Sequence, residues 1–152
     1  MDSFYHEVLA DLLARQTLSR QTKLLVLCGG KADRDTLVEC GFQNVVISNL
    51  DVRMDPQDFA PYEWSRQDAE HVTFPDGSFE FVIAHHGLHH CGSPHRAMLE
   101  MYRVASRGIL FFEPYDNWST RMGVRLNVGQ EYEHAAVYYN DCKFGGVRNT
   151  PI

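Results

Sequence analysis

Two consecutive glycines follow the first continuous apolar stretch of the chain. The stretch is Lys23–Cys28 (KLLVLC), and Gly29 and Gly30 lead into Lys31 and Ala32. In a parallel sheet, the corner between a strand and the following helix directs backbone N–H groups towards a nucleotide-like ligand. A residue without a Cβ lets the ligand approach the main chain and tolerates left-handed backbone angles. The corner is a candidate binding site, although any tight turn would use such glycines.

A second candidate group lies where an acid that binds both hydroxyls of a ribose is expected, about 20 residues beyond the glycine turn. Asn49 ends the apolar stretch Asn44–Asn49, and Asp51 follows two residues later. The Asn49 carbonyl can accept a hydrogen bond but lacks the charge that strengthens such bonds. Asn and Asp also form turns at such positions, so a binding role and a structural role both stay open.

Four histidines and a cysteine crowd one short segment: His85, His86, His89, His90 and Cys91. Histidines four residues apart share a face if the segment is helical, which is one arrangement of metal ligands. A metal site also needs a complete ligand set with correct geometry, and we predict that none is present here. A histidine with a pKa near neutrality could instead remove a proton from a substrate hydroxyl, a role open to His86 or His89.

Strands and helices must alternate along the chain to position these groups. Hydrophobic periodicity predicts a lead-in helix within residues 1–20, and residues 50–63 are predicted as a connection with at most one short helix. The predicted strands are Lys23–Cys28, Asn44–Asn49, Trp64–Gln67, Phe79–Ala84 and Gly108–Glu113, and the predicted helices are Ala32–Cys40 and Pro94–Ser106. This alternation predicts one α/β domain with a doubly wound, Rossmann-like, mainly parallel sheet in three layers.

Composition and charge narrow the classes of function. The 152 residues are 44% apolar and 22% charged, which is typical of one folded domain. The net charge of −6, without a basic cluster, disfavours binding to nucleic acid. We find no bilayer-spanning stretch and no signal peptide, and the four widely spaced cysteines are typical of free thiols. A cytoplasmic protein without membrane partners is therefore expected.

Three stretches, in this order, resemble the class I S-adenosylmethionine-dependent methyltransferases, particularly the methyltransferase domain common among small-molecule enzymes. They are LLVLCGGKADRDTLVECGFQNVVISNLD, WSRQDAEHVTFPDGSFEFVIAHHGLHH and PHRAMLEMYRVASRGILFFEP, and together they extend from about Lys23 to Pro114. The first motif of the family is an acid, an apolar residue and then G-x-G-x-G. The matching positions are 26–32, where Gly30 alone retains a motif glycine. The resemblance implies S-adenosylmethionine as cofactor.

The resemblance also implies roles for particular residues. Asp68 matches the acid that contacts the adenine amino group, and Ala69 matches the residue whose N–H contacts the ring. Asn49 matches the ribose carboxylate, with Asp51 as a stand-in. His85 and His86 fall where the family lines the methionine end of the cofactor. The implied cofactor-binding residues are Cys28, Gly29, Gly30, Lys31, Asn49, Leu50, Asp51, Asp68, Ala69, His85 and His86.

The segment 115–152 offers no further strand-helix-strand unit and is predicted to be an irregular tail behind a cofactor-binding core at 23–114. The class I fold usually continues with a helix and an antiparallel hairpin that cover the fifth strand, and we predict that this chain lacks them. Because an open apolar edge recruits another strand, we expect the tail to cover residues 108–113 or two copies to pair there.

Four aromatic residues of the tail could line an acceptor pocket or pack on the sheet. They are Tyr132, Tyr138, Tyr139 and Phe144.

Three hypotheses of function follow. The first is an S-adenosylmethionine-dependent methyltransferase, or a truncated form of one, that acts on a small-molecule acceptor. The second is a non-catalytic methyltransferase-like protein that binds a partner or another ligand, which the altered glycine motif and Asn49 favour. The third, a histidine-based metal protein, has the least support.

Overall fold

The computed structural model describes residues 3–113, 118–126 and 138, and these form one parallel sheet with helices on both faces. The helices are α1 (Ser3–Ala14), α2 (Lys31–Cys40), α3 (Pro94–Val104) and α4 (Trp118–Arg125), and short 3-10 helices span Pro56–Phe59 and Leu88–His90. The strands are β1 (Leu24–Leu27), β2 (Val45–Asn49), β3 (Glu63–Arg66), β4 (Phe79–His85) and β5 (Ala105–Phe112). The predicted α/β architecture is confirmed.

Strand β1 lies at the centre of the sheet, and all four of its side chains are buried. Successive side chains of a strand point to opposite faces. Leu24 and Val26 accordingly pack with α1 and α2, whereas Leu25 and Leu27 pack with α3. A continuous apolar stretch suits such a strand because helices cover both faces of the sheet. Two apolar layers therefore hold three layers of secondary structure together.

The start of α3 illustrates how local sequence sets these elements. Ser93 precedes the helix, and its hydroxyl accepts a hydrogen bond from the Arg96 N–H at 3.3 Å. Pro94 occupies the first turn, where no N–H partner is required. Ala97 and Met101 recur at helical spacing and are fully buried against the sheet. The cap and the apolar face together fix how α3 joins the loop after β4 to β5.

The strand order β3-β2-β1-β4-β5 places a reversal of direction between β1 and β4. The chain runs outward from β1 to β3 and then returns to add β4 and β5 on the other side. Ligands of doubly wound sheets bind in the crevice at the carboxyl ends of the strands, beside such a reversal. The glycine turn after β1 and the histidine segment after β4 both lie at this carboxyl edge.

Strand β5 begins at Ala105, three residues before the predicted Gly108, and follows α3 without a loop. Ser106 and Arg107 are exposed. Because they are polar, the sequence pattern did not predict the first part of this edge strand. Pairing extends the strand, because Ala105 lies opposite Phe79 and the Ser106 hydroxyl donates to the Phe79 carbonyl at 3.0 Å. Pairing with β4 therefore determines where β5 begins, which the composition of these residues does not indicate.

The segment predicted to be an irregular tail contains the helix α4. Strand β5 lies at one edge of the described sheet. Phe111 on this edge is half-exposed, and Tyr138 is largely exposed. Tyr132, Tyr139 and Phe144 lie outside the described residues, so covering or pairing of the β5 edge stays a prediction. None of the described helices combines the length and the apolar character that a bilayer crossing needs.

Candidate functional site

The glycine turn is shaped by close packing on its neighbouring strands. Cys28 has a φ of +57°, and the Gly29 N–H donates to the Ser48 carbonyl at 2.8 Å. A Cβ added to Gly29 would lie 2.7 Å from Cγ2 of Ile47, which is closer than real contacts allow. At Gly30 the nearest atom within the described part of the chain would be 3.8 Å away. Packing therefore requires the first glycine, whereas the second leaves an open surface.

Asp33, in the first turn of α2, joins the glycine turn to the end of β4. One carboxylate oxygen accepts from the Gly30 N–H at 2.7 Å, and the other lies 3.0 Å from Nδ1 of His85. The His85 ring stacks on Tyr5 with a centroid distance of 4.4 Å, and its side chain is only 10% exposed. His85, predicted to line the cofactor, is held between α1 and α2. Asp33 is a site residue that the sequence interpretation missed, and its place three residues after Gly30 was the available signal.

The loop after β2 is tied to the glycine turn through the Asn49 amide. Its Nδ2 donates to the Gly29 carbonyl at 2.9 Å, and its Oδ1 accepts from the Asp51 N–H at 3.1 Å. Leu50 is half-buried between them. Lys31 points elsewhere, because its ammonium lies 2.8 Å from Asp58. Asn49 thus keeps one lone pair of its carbonyl oxygen for a further donor.

The side chain of Asp51 is 2% exposed and forms an ion pair with the half-exposed side chain of Arg53. Nε of Arg53 lies 2.9 Å from one carboxylate oxygen and 3.2 Å from the other, and the backbone N–H of Arg53 also donates at 2.9 Å. The hydrogen bonds from the Arg53 side chain hold the pKa of Asp51 below its ordinary value, against the opposing effect of burial. Arg53 therefore occupies the oxygens that a ribose would need.

We predict that Arg53→Met lowers the free energy of unfolding at pH 7 by about 1–3 kcal/mol, because a buried carboxylate loses its charged donor. An aspartate with a lowered folded pKa contributes stability above its usual pKa of about 3.9 and loses it as the pH falls through the folded value. The difference from wild type should therefore narrow below about pH 4.

Urea unfolding between pH 3 and pH 8 measures this difference. Arg15→Met is the control, because Arg15 pairs with Asp11 on the surface of α1, where both side chains are more than half exposed. We expect it to cost less than about 0.5 kcal/mol at any pH. Equal losses in the two variants would contradict a stabilising ion pair between Arg53 and the buried Asp51 carboxylate.

Asp68 and Ala69 form the loop directly after β3. The Asp68 side chain is 44% exposed, and its carboxylate accepts from the Glu70 N–H at 2.9 Å and lies 3.3 Å from Nδ1 of His71. Ala69 is buried. The Glu70 carboxylate accepts from the Gly92 N–H at 2.6 Å and so ties this loop to the loop after β4. Asp68 thus presents a partly accessible acceptor at the carboxyl edge.

The histidine segment after β4 divides into exposed and buried members. His86 is exposed with a φ of +53°, and its N–H donates to the Phe112 carbonyl at 2.8 Å. His89 is fully buried, with Nδ1 2.5 Å from the Glu113 carboxylate. Among the described residues, no group of three or more histidine, cysteine and acidic side chains is arranged to hold a metal ion. Of the two candidate bases, His86 is the one that solvent reaches.

Short contacts join the loops after β1, β2, β3 and β4 at one edge of the sheet. Asn49 links the first two, Glu70 links the last two, and Gly87 packs directly on Cys28. The edge therefore brings together Cys28, Gly29, Gly30, Asn49, Asp68, Ala69 and His86 in one linked group. In three of the predicted residues the charged or polar side chain is paired with another side chain, namely Lys31 with Asp58, Asp51 with Arg53 and His85 with Asp33.

A scan of protein families matches residues 26–112 to the methyltransferase domain. No curated protein matches the chain at a significant level. Among solved structures, the chain is similar to the YcgJ protein of Bacillus subtilis, with 18% identity and a TM-score of 0.59 over 80% of this chain and 58% of that one.

Two further structures are S-adenosylmethionine-dependent methyltransferases. For the Methanosarcina mazei protein the identity is 17% and the TM-score 0.60, over 74% of this chain and 62% of that one. For the Thermotoga maritima protein the identity is 17% and the TM-score 0.55, over 93% and 65%. This chain thus spans less than two thirds of all three proteins.

The order of the strands and the linked loops at the carboxyl edge define a Rossmann-like domain of the class I type. The family match covers the same segment, from β1 to the end of β5. The chain therefore belongs to the methyltransferase domain family, and its fold is that of the S-adenosylmethionine-dependent enzymes.

Proposed function

We propose that this protein binds S-adenosylmethionine at the carboxyl edge of its sheet and transfers the methyl group to a small-molecule acceptor. The observation that carries the proposal is the partly exposed Asp68 carboxylate in the loop after β3, next to the buried Ala69. A carboxylate can accept a hydrogen bond from an exocyclic amino group, and the next backbone N–H can donate to a ring nitrogen. This pairing suits the adenine end of the cofactor.

The glycine turn would take the central part of the cofactor. The open surface at Gly30 lets a ligand lie close to the main chain, and the Asn49 carbonyl has a lone pair for one ribose hydroxyl. Asp51 would not contact the ribose with its own carboxylate, because that carboxylate is bound by Arg53. We therefore expect ribose binding through one neutral acceptor, which is weaker than binding through a carboxylate.

His86 would face the methionine end of the cofactor and the acceptor. When bound, S-adenosylmethionine supplies a methyl group on a positively charged sulfur, and transfer requires the acceptor to be aligned with it. His86 is exposed directly after β4, and a histidine imidazole can take a proton from an acceptor hydroxyl. The loops around it would exclude water and orient the acceptor.

Calorimetric titration with S-adenosylhomocysteine tests the proposal. Asp68→Ala should weaken binding by about tenfold, because a hydrogen bond between a charged and a neutral group is lost. Asp76→Ala is the control, since Asp76 is an exposed acid in the turn before β4, where its side chain contacts Arg103. Wild-type binding that Asp68→Ala weakens and Asp76→Ala spares supports the site, and equal affinity of all three proteins contradicts it.

A non-catalytic binding protein is the second candidate, and the ion pair of Asp51 with Arg53 favours it. The Asp33 carboxylate similarly occupies the Gly30 N–H that an anionic ligand would use. A folded wild-type protein that binds neither S-adenosylmethionine nor S-adenosylhomocysteine in the same titration would favour this candidate over methyl transfer.

A further inference from the structure

Glu113 follows β5 directly, and its side chain is 5% exposed. One carboxylate oxygen accepts from the backbone N–H groups of Gly87 and Leu88 at 2.9 and 2.8 Å. The other lies 2.5 Å from Nδ1 of His89 and 3.4 Å from the backbone nitrogen of that residue. A single buried side chain thus satisfies the whole start of the 3-10 helix at Leu88–His90.

The charge of Glu113 is stabilised where it lies. Burial by itself raises the pKa of a carboxyl group, but the hydrogen bonds from His89 and from the Leu88 and Gly87 N–H groups outweigh it and hold the pKa of Glu113 below its ordinary value. Hydrogen bonds to an ionised acceptor are stronger than those between neutral groups. The loop after β4 is therefore anchored to β5 by a charged contact.

The contacts of Glu113 also restrain His86, whose backbone conformation is strained. His86 precedes Gly87 and has a φ of +53°, a region that residues with a Cβ rarely adopt. Such strain persists only where the surrounding structure over-determines it. His86 is held on one side by its bond to the Phe112 carbonyl and on the other by the Glu113 contacts to the next three residues.

We propose that Glu113 is a positioning residue, which holds the loop after β4 so that the exposed His86 side chain faces the bound cofactor. The inference rests on the proposed function, because it assigns a binding consequence to the position of His86. Glu113 itself is not expected to contact the cofactor. Its effect on binding passes through the backbone of residues 86–89.

A double-mutant cycle tests this route. The titrations with S-adenosylhomocysteine are made on wild type, Glu113→Gln, His86→Ala and the double variant. Glu113→Gln keeps the size of the side chain but removes the charge that anchors the loop. We expect it to weaken binding by about fivefold in the wild-type background and by less than about twofold once His86 is alanine, since groups that act through one another are not additive.

Glu80→Gln is the matched control, because the Glu80 carboxylate accepts from the Lys23 N–H at 3.0 Å and pairs with Arg107 at 2.9 Å beside the starts of β1 and β4, at the opposite edge of the sheet. It should change stability without changing affinity. Amide hydrogen exchange of residues 87–89 should also become faster in Glu113→Gln and stay unchanged in Glu80→Gln.

The outcomes separate the two claims. Equal weakening by Glu113→Gln with and without His86, or unchanged affinity and exchange in Glu113→Gln, would overturn the positioning role while leaving the proposed function intact. Absence of binding by the folded wild-type protein would overturn the proposed function and the positioning role that rests on it.

Discussion

Replacing Tyr5 with alanine is expected to lower the free energy of unfolding by about 3–5 kcal/mol, as for other large aromatic side chains removed from a core. The Tyr5 side chain is 1% exposed, stacks on His85 and meets Phe112 edge to face at a centroid distance of 5.1 Å. It therefore joins α1 to β4 and β5. Its loss would leave a cavity beneath α1, where this helix packs on the ends of β4 and β5.

The matched control is Tyr102→Ala, because Tyr102 lies on the outer face of α3 and is 75% exposed. We expect it to change the stability by less than about 0.5 kcal/mol. Urea unfolding followed by far-ultraviolet circular dichroism measures both variants. Similar losses at the two tyrosines would contradict the buried position of Tyr5 and the packing of α1 on the sheet.

Gly87→Ala is expected to destabilise the protein by about 1–3 kcal/mol through overpacking. The added Cβ would lie 2.1 Å from Cβ of Cys28, so one of the two loops must move. Gly87 has an ordinary negative φ, and its requirement for glycine is therefore a matter of space. Because the loops after β1 and β4 meet at this point, the substitution should also weaken binding of S-adenosylhomocysteine.

Gly123→Ala provides the control for the same chemical change. Among the described residues, no atom beyond its chain neighbours and its own helix backbone lies within 4 Å of a Cβ added there, and Gly123 is inside α4. An alanine in a helix is favoured over glycine by about 0.5–1 kcal/mol, so this variant should gain stability. Thermal unfolding of the two variants should therefore shift in opposite directions, and a gain in stability for Gly87→Ala would refute the close contact with Cys28.

The fold was predictable because its strands carry strong local signals. The continuous apolar stretch at β1 indicates a strand covered on both faces, and the glycine turn with the helix behind it indicates the first crossover. The start of β5 was not predictable from its own residues, since Ser106 and Arg107 are polar and only pairing with β4 makes them part of a strand.

The site was harder to predict because contacts between distant residues decide it. His85 and His86 are neighbours in the sequence, yet β4 ends between them, so that one ring is held under Tyr5 and the other faces solvent. Asp51 looked like a candidate ribose acceptor, and its partner Arg53 is only two residues away, but their sequence gives no indication of burial. Glu113 escaped prediction because its donors lie 24 to 26 residues earlier in the chain.

Nuclear magnetic resonance of the ¹⁵N-labelled protein during titration with S-adenosylhomocysteine tests the central claim most directly, because it reports where the ligand binds. We predict saturable shifts of the amide signals of Gly30, Ala69 and His86, which lie in loops after three different strands at one sheet edge. A separate groove between α1 and α2 is lined by His6, Glu39 and other residues and should be unaffected. Shifts confined to that groove, or no shifts in a folded sample, would contradict a cofactor site at the carboxyl edge.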